Sequence, residues 1–174
     1  MHMSDQREIA APVAEVWAAL LSADSLLQCV PGAKEVTGNV EEGFEATVVQ
    51  KVGPVKATFK GKVILSNLVE GESLTLTGEG KGGAAGFAKG GADVTLAPSE
   101  TGTLLSYEVD AKVGGKLAQL GSRLIDGFSK KMADQFFTNL QTSLEGPVEE
   151  EVETAEAAPE EPPKKSLLKR MTGG

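Results

Sequence analysis

The sequence predicts an α+β fold in which a curved antiparallel sheet wraps around one long C-terminal helix, with a disordered tail beyond it. Three observations predict this fold. Apolar residues recur at every second position between Lys34 and Lys112, which is the period of half-buried strands. From about Lys116 to Leu144 the apolar spacing changes to three and four residues, as in an amphipathic helix. After Glu145 an acidic stretch containing proline replaces both periods.

The first thirty residues predict one strand and two short helices. Residues 3–10 are expected to form the opening strand, and Pro12 suits the first turn of a helix. Ser22 and Asp24 can cap a second short helix, which Pro31-Gly32 should end. One apolar face of the first helix is formed by Val13, Val16, Trp17, Leu20 and Leu21.

About six consecutive antiparallel strands should follow. The clearest is the segment from Val55 to Leu65, where apolar or small residues alternate with Lys56, Thr58, Lys60 and Lys62. Such alternation predicts a strand with one buried face and one cationic face. Turn sequences that separate the strands are Gly53-Pro54, Glu70-Gly71-Glu72 and Ser99-Glu100-Thr101-Gly102.

The sheet should close at Gly114-Gly115, and the long helix should run to Gly146-Pro147. A sheet that curves around such a helix leaves a volume between them. This order of elements is the helix-grip architecture of START and Bet v 1 proteins, in which that volume commonly holds an apolar ligand. The helix carries one apolar stripe, composed of Leu117, Leu120, Leu124, Phe128, Met132, Phe136 and Leu140.

Small residues on the strands predict that the volume is a cavity. The run from Gly78 to Gly91 lacks the spacing of a phosphate-binding loop, so we interpret it as strands kept small for close approach. Phe87 is expected to project into the space. The stripe is either ordinary core or a ligand wall, and Tyr107 either a core residue or a hydrogen-bond donor to a ligand carbonyl. Predicted pocket residues are Phe59, Phe87, Tyr107, Leu120, Leu124, Phe128, Met132 and Phe136.

Catalysis by this chain is not expected. The one histidine, His2, lies at the terminus, which excludes the usual histidine bases and zinc clusters. Cys29 therefore has no histidine to activate it and is predicted to be a small buried residue. We expect no catalytic residues, no metal site and no covalent cofactor. The body has no basic field, which excludes general nucleic-acid binding.

The sequence predicts three regions: a ligand-binding domain over 1–145, an acidic disordered linker over 146–163 and a cationic amphipathic tip over 164–174. From Glu145 to Pro163 the chain contains eight Glu, four Pro and no Lys or Arg. The tip combines four cations with apolar residues, which suits an anionic membrane surface or an acidic partner. A purely solubilising tail is the alternative. Predicted contact residues are Lys164, Lys165, Leu167, Leu168, Lys169 and Arg170.

Localisation is predicted to be cytoplasmic, and peripheral at the inner face of the cell membrane. The N-terminus lacks the cationic start and apolar run of a signal peptide. No apolar stretch approaches the roughly eighteen residues that a membrane span needs. A single cysteine forms no internal disulfide.

Four segments resemble the CoxG family of carbon monoxide dehydrogenase proteins, a branch of the START-like superfamily. The resemblance covers about residues 3–144, and the glycine-rich strands and the final helix carry most of it. It implies an accessory protein made alongside molybdenum-containing dehydrogenases, with a role in attaching the enzyme to the membrane or linking it to the respiratory chain. The matching segments are Pro31-Gly32-Ala33, Gly78–Gly91, Gly102–Tyr107 leading into Gly114–Ile125, and Phe136–Leu140.

Three hypotheses follow. The first is a non-enzymatic protein that binds an isoprenoid lipid, most simply menaquinone, and links a molybdenum-containing carbon monoxide dehydrogenase to the membrane and respiratory chain. The dehydrogenase comes from the resemblance, the apolar ligand from the pocket, and the quinone joins the two because electrons need an acceptor that resides in lipid. The second is a membrane-anchoring scaffold without ligand transport. The third is a START-like enzyme of the polyketide-cyclase type, against which the lack of clustered catalytic groups argues.

Overall fold

A computed structural model describes residues 1–145. The chain divides into two units, Met1–Leu140 and Gln141–Gly174, and the second is described only as far as Glu145. The predicted linker, 146–163, and the predicted tip, 164–174, therefore lie outside the described residues.

The first unit is built on one seven-stranded antiparallel sheet, ordered β1-β7-β6-β5-β4-β3-β2. Strands two to seven follow one another as a meander, and β1 pairs with β7 at one edge. The predicted opening strand and the six later strands are thus confirmed. The strands are β1 (His2–Ile9), β2 (Ala33–Asn39), β3 (Gly43–Val52), β4 (Val55–Val69), β5 (Ser73–Lys81), β6 (Phe87–Pro98) and β7 (Thr103–Gly114).

Two helices lie between β1 and β2, and two follow β7. The Ser22 hydroxyl accepts a hydrogen bond from the Ser25 amide at 3.3 Å, so the predicted cap of the second helix is confirmed. A 3₁₀ turn over Gly83–Ala85 joins β5 to β6. The helices are α1 (Val13–Leu20), α2 (Ala23–Cys29), α3 (Lys116–Gln119) and α4 (Ser122–Glu145).

The meander sends successive turns to opposite ends of the sheet. The β3–β4 turn at Gly53-Pro54, the 3₁₀ turn and the junction of β7 with α3 lie at one end. Residues 40–42, 70–72 and 99–102 form the turns at the other end. The predicted turn sequences are therefore confirmed, and side chains near them are sorted to one end or the other.

The prediction of one continuous helix from Lys116 is wrong. Gly121 adopts a left-handed φ of +93° between α3 and α4, a conformation that glycine tolerates because it has no Cβ. This break changes which side of the later helix faces the sheet. Ile125, Phe137 and Leu140 are buried, whereas Leu124 remains 39% exposed.

The fully buried core lies against one half of the concave face. Ile9, Val16, Leu105 and Leu140 are at most 1% exposed. The Thr103 hydroxyl satisfies its buried donor on the carbonyl of Ala11 at 2.7 Å, as burial of a polar group requires.

Candidate functional site

An apolar cavity of about 430 Å³ lies on the concave face of the sheet. This volume falls within the range of roughly 300–1,000 Å³ that is usual for small-molecule sites. Its wall is formed by inward-facing residues of β3 to β7 and by Val30, which caps α2. The inward-facing wall residues are Ala46, Val48, Phe59, Gly61, Val63, Leu76, Gly78, Gly80, Ala88, Gly90, Ala92, Val109 and Ala111.

Cross-strand register explains why the wall is hollow. Small residues stand directly opposite one another along two neighbouring rungs of the sheet. A Cβ built on Gly80 would meet no heavy atom within 4 Å. The prediction that small residues leave a void is therefore confirmed. The rungs are Ala88–Gly80–Gly61–Ala46 and Ala111–Gly90–Gly78–Val63.

A second apolar recess of about 170 Å³ adjoins this cavity beneath α1 and α2. Leu20 and Leu26 of these helices line it, opposite Val36, Phe44, Leu74 and Val94 on the sheet. The two spaces share Val30, Ala46, Val63 and Leu76. A long apolar molecule can therefore extend from one into the other along a continuous hydrocarbon surface.

Helix α4 is fixed over the packed half of the sheet by aromatic and polar contacts. The Phe137 ring stacks on Tyr107 with a centroid distance of 5.0 Å. Arg7 lies 5.6 Å above the Phe137 ring and donates to the Asp134 carboxylate at 2.6 Å.

A further hydrogen bond ties the later part of α4 to α2. The Asn139 side chain donates to the carbonyl of Cys29 at 2.9 Å. Together with the aromatic and ionic contacts, it fixes the helix in front of the concave face while the cavity stays unfilled.

The charged side chains of the cavity strands point away from the cavity. Lys62, Glu79, Lys89 and Asp110 alternate with the small inward residues and are exposed. An apolar guest would therefore meet hydrocarbon and backbone rather than charge.

Shifted titrations occur outside the cavity wall. Burial raises the pKa of the Tyr107 hydroxyl and the pKa of the Cys29 thiol. Cys29 is 1% exposed, which confirms the prediction that it is a small buried residue. A hydrogen bond to the Asp110 carboxylate raises the pKa of the exposed His2 imidazole.

A larger basin of about 910 Å³ lies on the outer face of the same strands. Its lining includes Lys62, Glu79, Lys89, Asp110 and Lys112. These solvated charges make it a poor site for an apolar ligand, because a guest there would have to desolvate them. We therefore assign the candidate site to the concave face despite the greater volume outside.

Among the eight predicted pocket residues, only Phe59 lines the cavity. The predicted position of Phe87 is wrong, because strand alternation places its ring on the outer face over Gly114. Tyr107 is buried against Phe137 rather than in the cavity wall.

The predicted helix residues also lie elsewhere. Leu124 packs over Gly53 at the β3–β4 turn. Leu120 and Phe128 pack against the cluster of Val52, Leu117 and Ile125. Phe128 and Met132 line a separate recess of about 200 Å³, and the Phe136 ring contacts Phe137 edge-on.

The sequence reasoning missed wall residues on β3, β5 and β7. Ala46, Val48, Leu76, Val109 and Ala111 share the inward parity of their strands with buried residues such as Phe44, Leu74 and Leu105. Applying that parity from the buried end of each strand would have identified them.

Residues 6–145 match the model of the carbon monoxide dehydrogenase CoxG family. The chain belongs to this family. The predicted resemblance is thus confirmed, and the family name implies an association with carbon monoxide dehydrogenase. No curated protein matches the chain.

Solved structures share the fold. A conserved protein from Geobacillus kaustophilus is 26% identical, with a TM-score of 0.78, over 83% of this chain and 95% of that one. A START superfamily protein from Mycobacterium smegmatis is 14% identical, with a TM-score of 0.62, over 83% and 97%. A protein from Chromobacterium violaceum is 20% identical, with a TM-score of 0.62, over 83% and 97%.

The family and the START-like fold together indicate a ligand-binding accessory protein of the CoxG type. The predicted helix-grip architecture is confirmed by these structural neighbours. None of the helices within residues 1–145 is long and apolar enough to cross a membrane.

Proposed function

We propose that this CoxG-family protein binds a respiratory quinone, most simply menaquinone, and thereby links a molybdenum-containing carbon monoxide dehydrogenase to the membrane and respiratory chain. The observation that supports this most is the apolar cavity of about 430 Å³ with its adjoining recess. The body would operate in the cytoplasm at the inner face of the membrane.

The chemistry of the cavity favours an isoprenoid ligand over a polar one. Its inward side chains are glycine, alanine, valine, leucine and phenylalanine. Each buried methylene contributes about 0.8 kcal/mol to transfer from water, so a polyisoprenoid chain has a large driving force to enter. A charged ligand would find no side chain in this wall with which to pair.

Catalysis is assigned to the dehydrogenase rather than to this chain. Among residues 1–145 no group of three or more His, Cys, Asp or Glu is arranged to hold a metal ion. The purified chain alone should therefore oxidise no carbon monoxide with an artificial electron acceptor. Turnover by the isolated chain would contradict this assignment and favour the polyketide-cyclase type of enzyme.

The cationic tip is proposed to contact the membrane or a protein partner. Lys164, Lys165, Lys169 and Arg170 can each contribute about 1 kcal/mol at an anionic surface, and Leu167 and Leu168 can insert shallowly. Deletion of residues 164–174 should lower flotation with anionic vesicles at low salt. Unchanged flotation would direct the tip to a protein partner instead.

Mass spectrometry of lipids extracted from the natively purified full chain tests the central proposal. We expect menaquinone or a comparable isoprenoid quinone in the extract, and recovery of the same lipid after reconstitution of delipidated protein. Protein that is lipid-free as purified and refuses added quinone, yet still recruits the dehydrogenase to membranes, would favour the scaffold alternative.

A further inference from the structure

Eight cations collect at one end of the sheet. They lie in residues 51–60, 81–89 and 112–125, which contain no Asp or Glu. We call this the basic end, because the topology brings the β3–β4 turn, the 3₁₀ turn and the start of α3 and α4 together there. All eight are exposed and, within residues 1–145, none forms a salt bridge. They are Lys51, Lys56, Lys60, Lys81, Lys89, Lys112, Lys116 and Arg123.

The opposite end of the sheet has the reverse charge. The turns at 40–42, 70–72 and 99–102 contain five Glu and neither Lys nor Arg. The described chain is therefore polarised along its strands, although its overall balance is acidic. Such polarity orients a protein in an external field.

Register makes the basic end unfavourable for folding. Lys51 stands directly opposite Lys56, Lys60 opposite Lys81, and Lys89 opposite Lys112. Like charges in direct cross-strand pairs destabilise a sheet. Three such pairs at one end indicate that the cations face an anionic partner, which would relieve their repulsion.

Two exposed apolar side chains accompany the cations. Phe87 is 37% exposed on the outer face, and Leu124 is 39% exposed over the β3–β4 turn. Cations that surround protruding apolar groups suit a bilayer, which offers anionic headgroups and hydrocarbon together. An acidic protein surface or a nucleic acid would match only the charges.

From these features we infer that the basic end docks directly on an anionic bilayer, as a contact of the folded body that is separate from the tip. This deepens the proposed function, on which it rests, by naming the surface that faces lipid. Phe59, Gly61, Gly80 and Ala88 of the cavity wall lie on the same strand segments as Lys60, Lys81 and Lys89. Docking therefore brings the hollow half of the sheet close to the source of its ligand.

The test uses the full chain with its tip neutralised by Lys164→Gln, Lys165→Gln, Lys169→Gln and Arg170→Gln. In this background the end variant carries Lys56→Gln, Lys81→Gln and Lys112→Gln, which removes one lysine from each like-charged pair. The control carries Lys34→Gln, Lys62→Gln and Lys130→Gln, which are also exposed and change the net charge equally. Flotation is measured with vesicles of phosphatidylglycerol and phosphatidylcholine in equal parts.

We expect the tip-neutral protein to float with these vesicles at low salt and not with phosphatidylcholine alone. The end variant should partition on the order of tenfold to a hundredfold less, since each lysine contributes roughly fivefold. The control should partition much like its parent. The melting temperature of the end variant should equal or exceed that of its parent because like-charge repulsion is relieved, which separates lost docking from unfolding.

Equal partition of the end variant and the control would overturn the inference, as would absence of flotation in the tip-neutral parent. Retention on purified dehydrogenase but not on vesicles, sensitive to the same three substitutions, would also overturn it and assign the basic end to a protein. Menaquinone in lipid extracts of the same variants is scored separately. A quinone-bound protein with no docking would thus contradict this inference alone, and a docking protein without quinone would contradict only the proposed function.

Discussion

The two halves of the concave face differ in side-chain size rather than in backbone design. Along β6, Val94 and Leu96 fill one half, whereas Ala88 and Gly90 leave the other open. On β7, Leu105 and Tyr107 are buried, while Ala111 lines the cavity. The same antiparallel ladder continues through both halves. The comparison teaches that a START-like sheet gains a ligand site by replacing large inward residues with small ones along a few rungs.

Hollowing the packed half should have the largest effect. Leu105 is 0% exposed, so Leu105→Ala should lower the free energy of unfolding by about 2–5 kcal/mol. Denaturant unfolding of the full chain measures this. Val109→Ala is the matched control, because Val109 lies on the same strand and face but borders the cavity. An equal loss at both positions would show that the two halves are packed alike.

Filling the hollow half should act on binding more than on stability. Leucine at position 80 would extend into open space and occupy volume that a ligand needs. Gly80→Leu should therefore weaken menaquinone binding by at least about tenfold, or roughly 1.4 kcal/mol, measured by quinone titration.

The matched control for this substitution is Gly127→Leu. A Cβ at Gly127 also meets no atom within 4 Å, but this glycine lies exposed on α4. If Gly80→Leu and Gly127→Leu bind quinone equally well, the ligand does not use the hollow half.

The smallest expected effect is an alkaline loss of stability that originates in the packed half. Burial, followed by the nearby Asp5 carboxylate, raises the pKa of Tyr107 above its ordinary value of 10.0. The folded state then holds this proton more tightly than the unfolded state. The contribution is full below pH 10.0 and decreases as the pH rises through the folded pKa.

Thermal melts between neutral and strongly alkaline pH can detect this contribution. Tyr107→Phe keeps the ring that stacks on Phe137 and removes the ionisable group, so its alkaline decline should be shallower than that of the natural chain. Parallel declines in the two proteins would assign the effect to other groups.

Some of the site was readable in the sequence, and some was not. The alternation of β4 and the glycine-rich strands predicted a hollow sheet, and the cavity walls at Gly61, Ala88 and Ala92 agree. The face of Phe87 was readable as well, because it has the opposite parity to Val94 and Leu96. The orientation of α4 was not readable, since one left-handed glycine at Gly121 changes which side faces the sheet.

By itself the sequence determined the element order, the two periods, the turns and the membership of the CoxG family, because these depend on local spacing and on matched residues. Tertiary structure alone decided that Leu124 is exposed, that Arg7 pairs with Asp134, and that lysines distant in the chain stand opposite one another. The physical reason is that period fixes which residues share a face of one strand. Register and helix placement arise only when strands and helices pack together, and they decide which faces meet, which volumes stay open and which charges become neighbours.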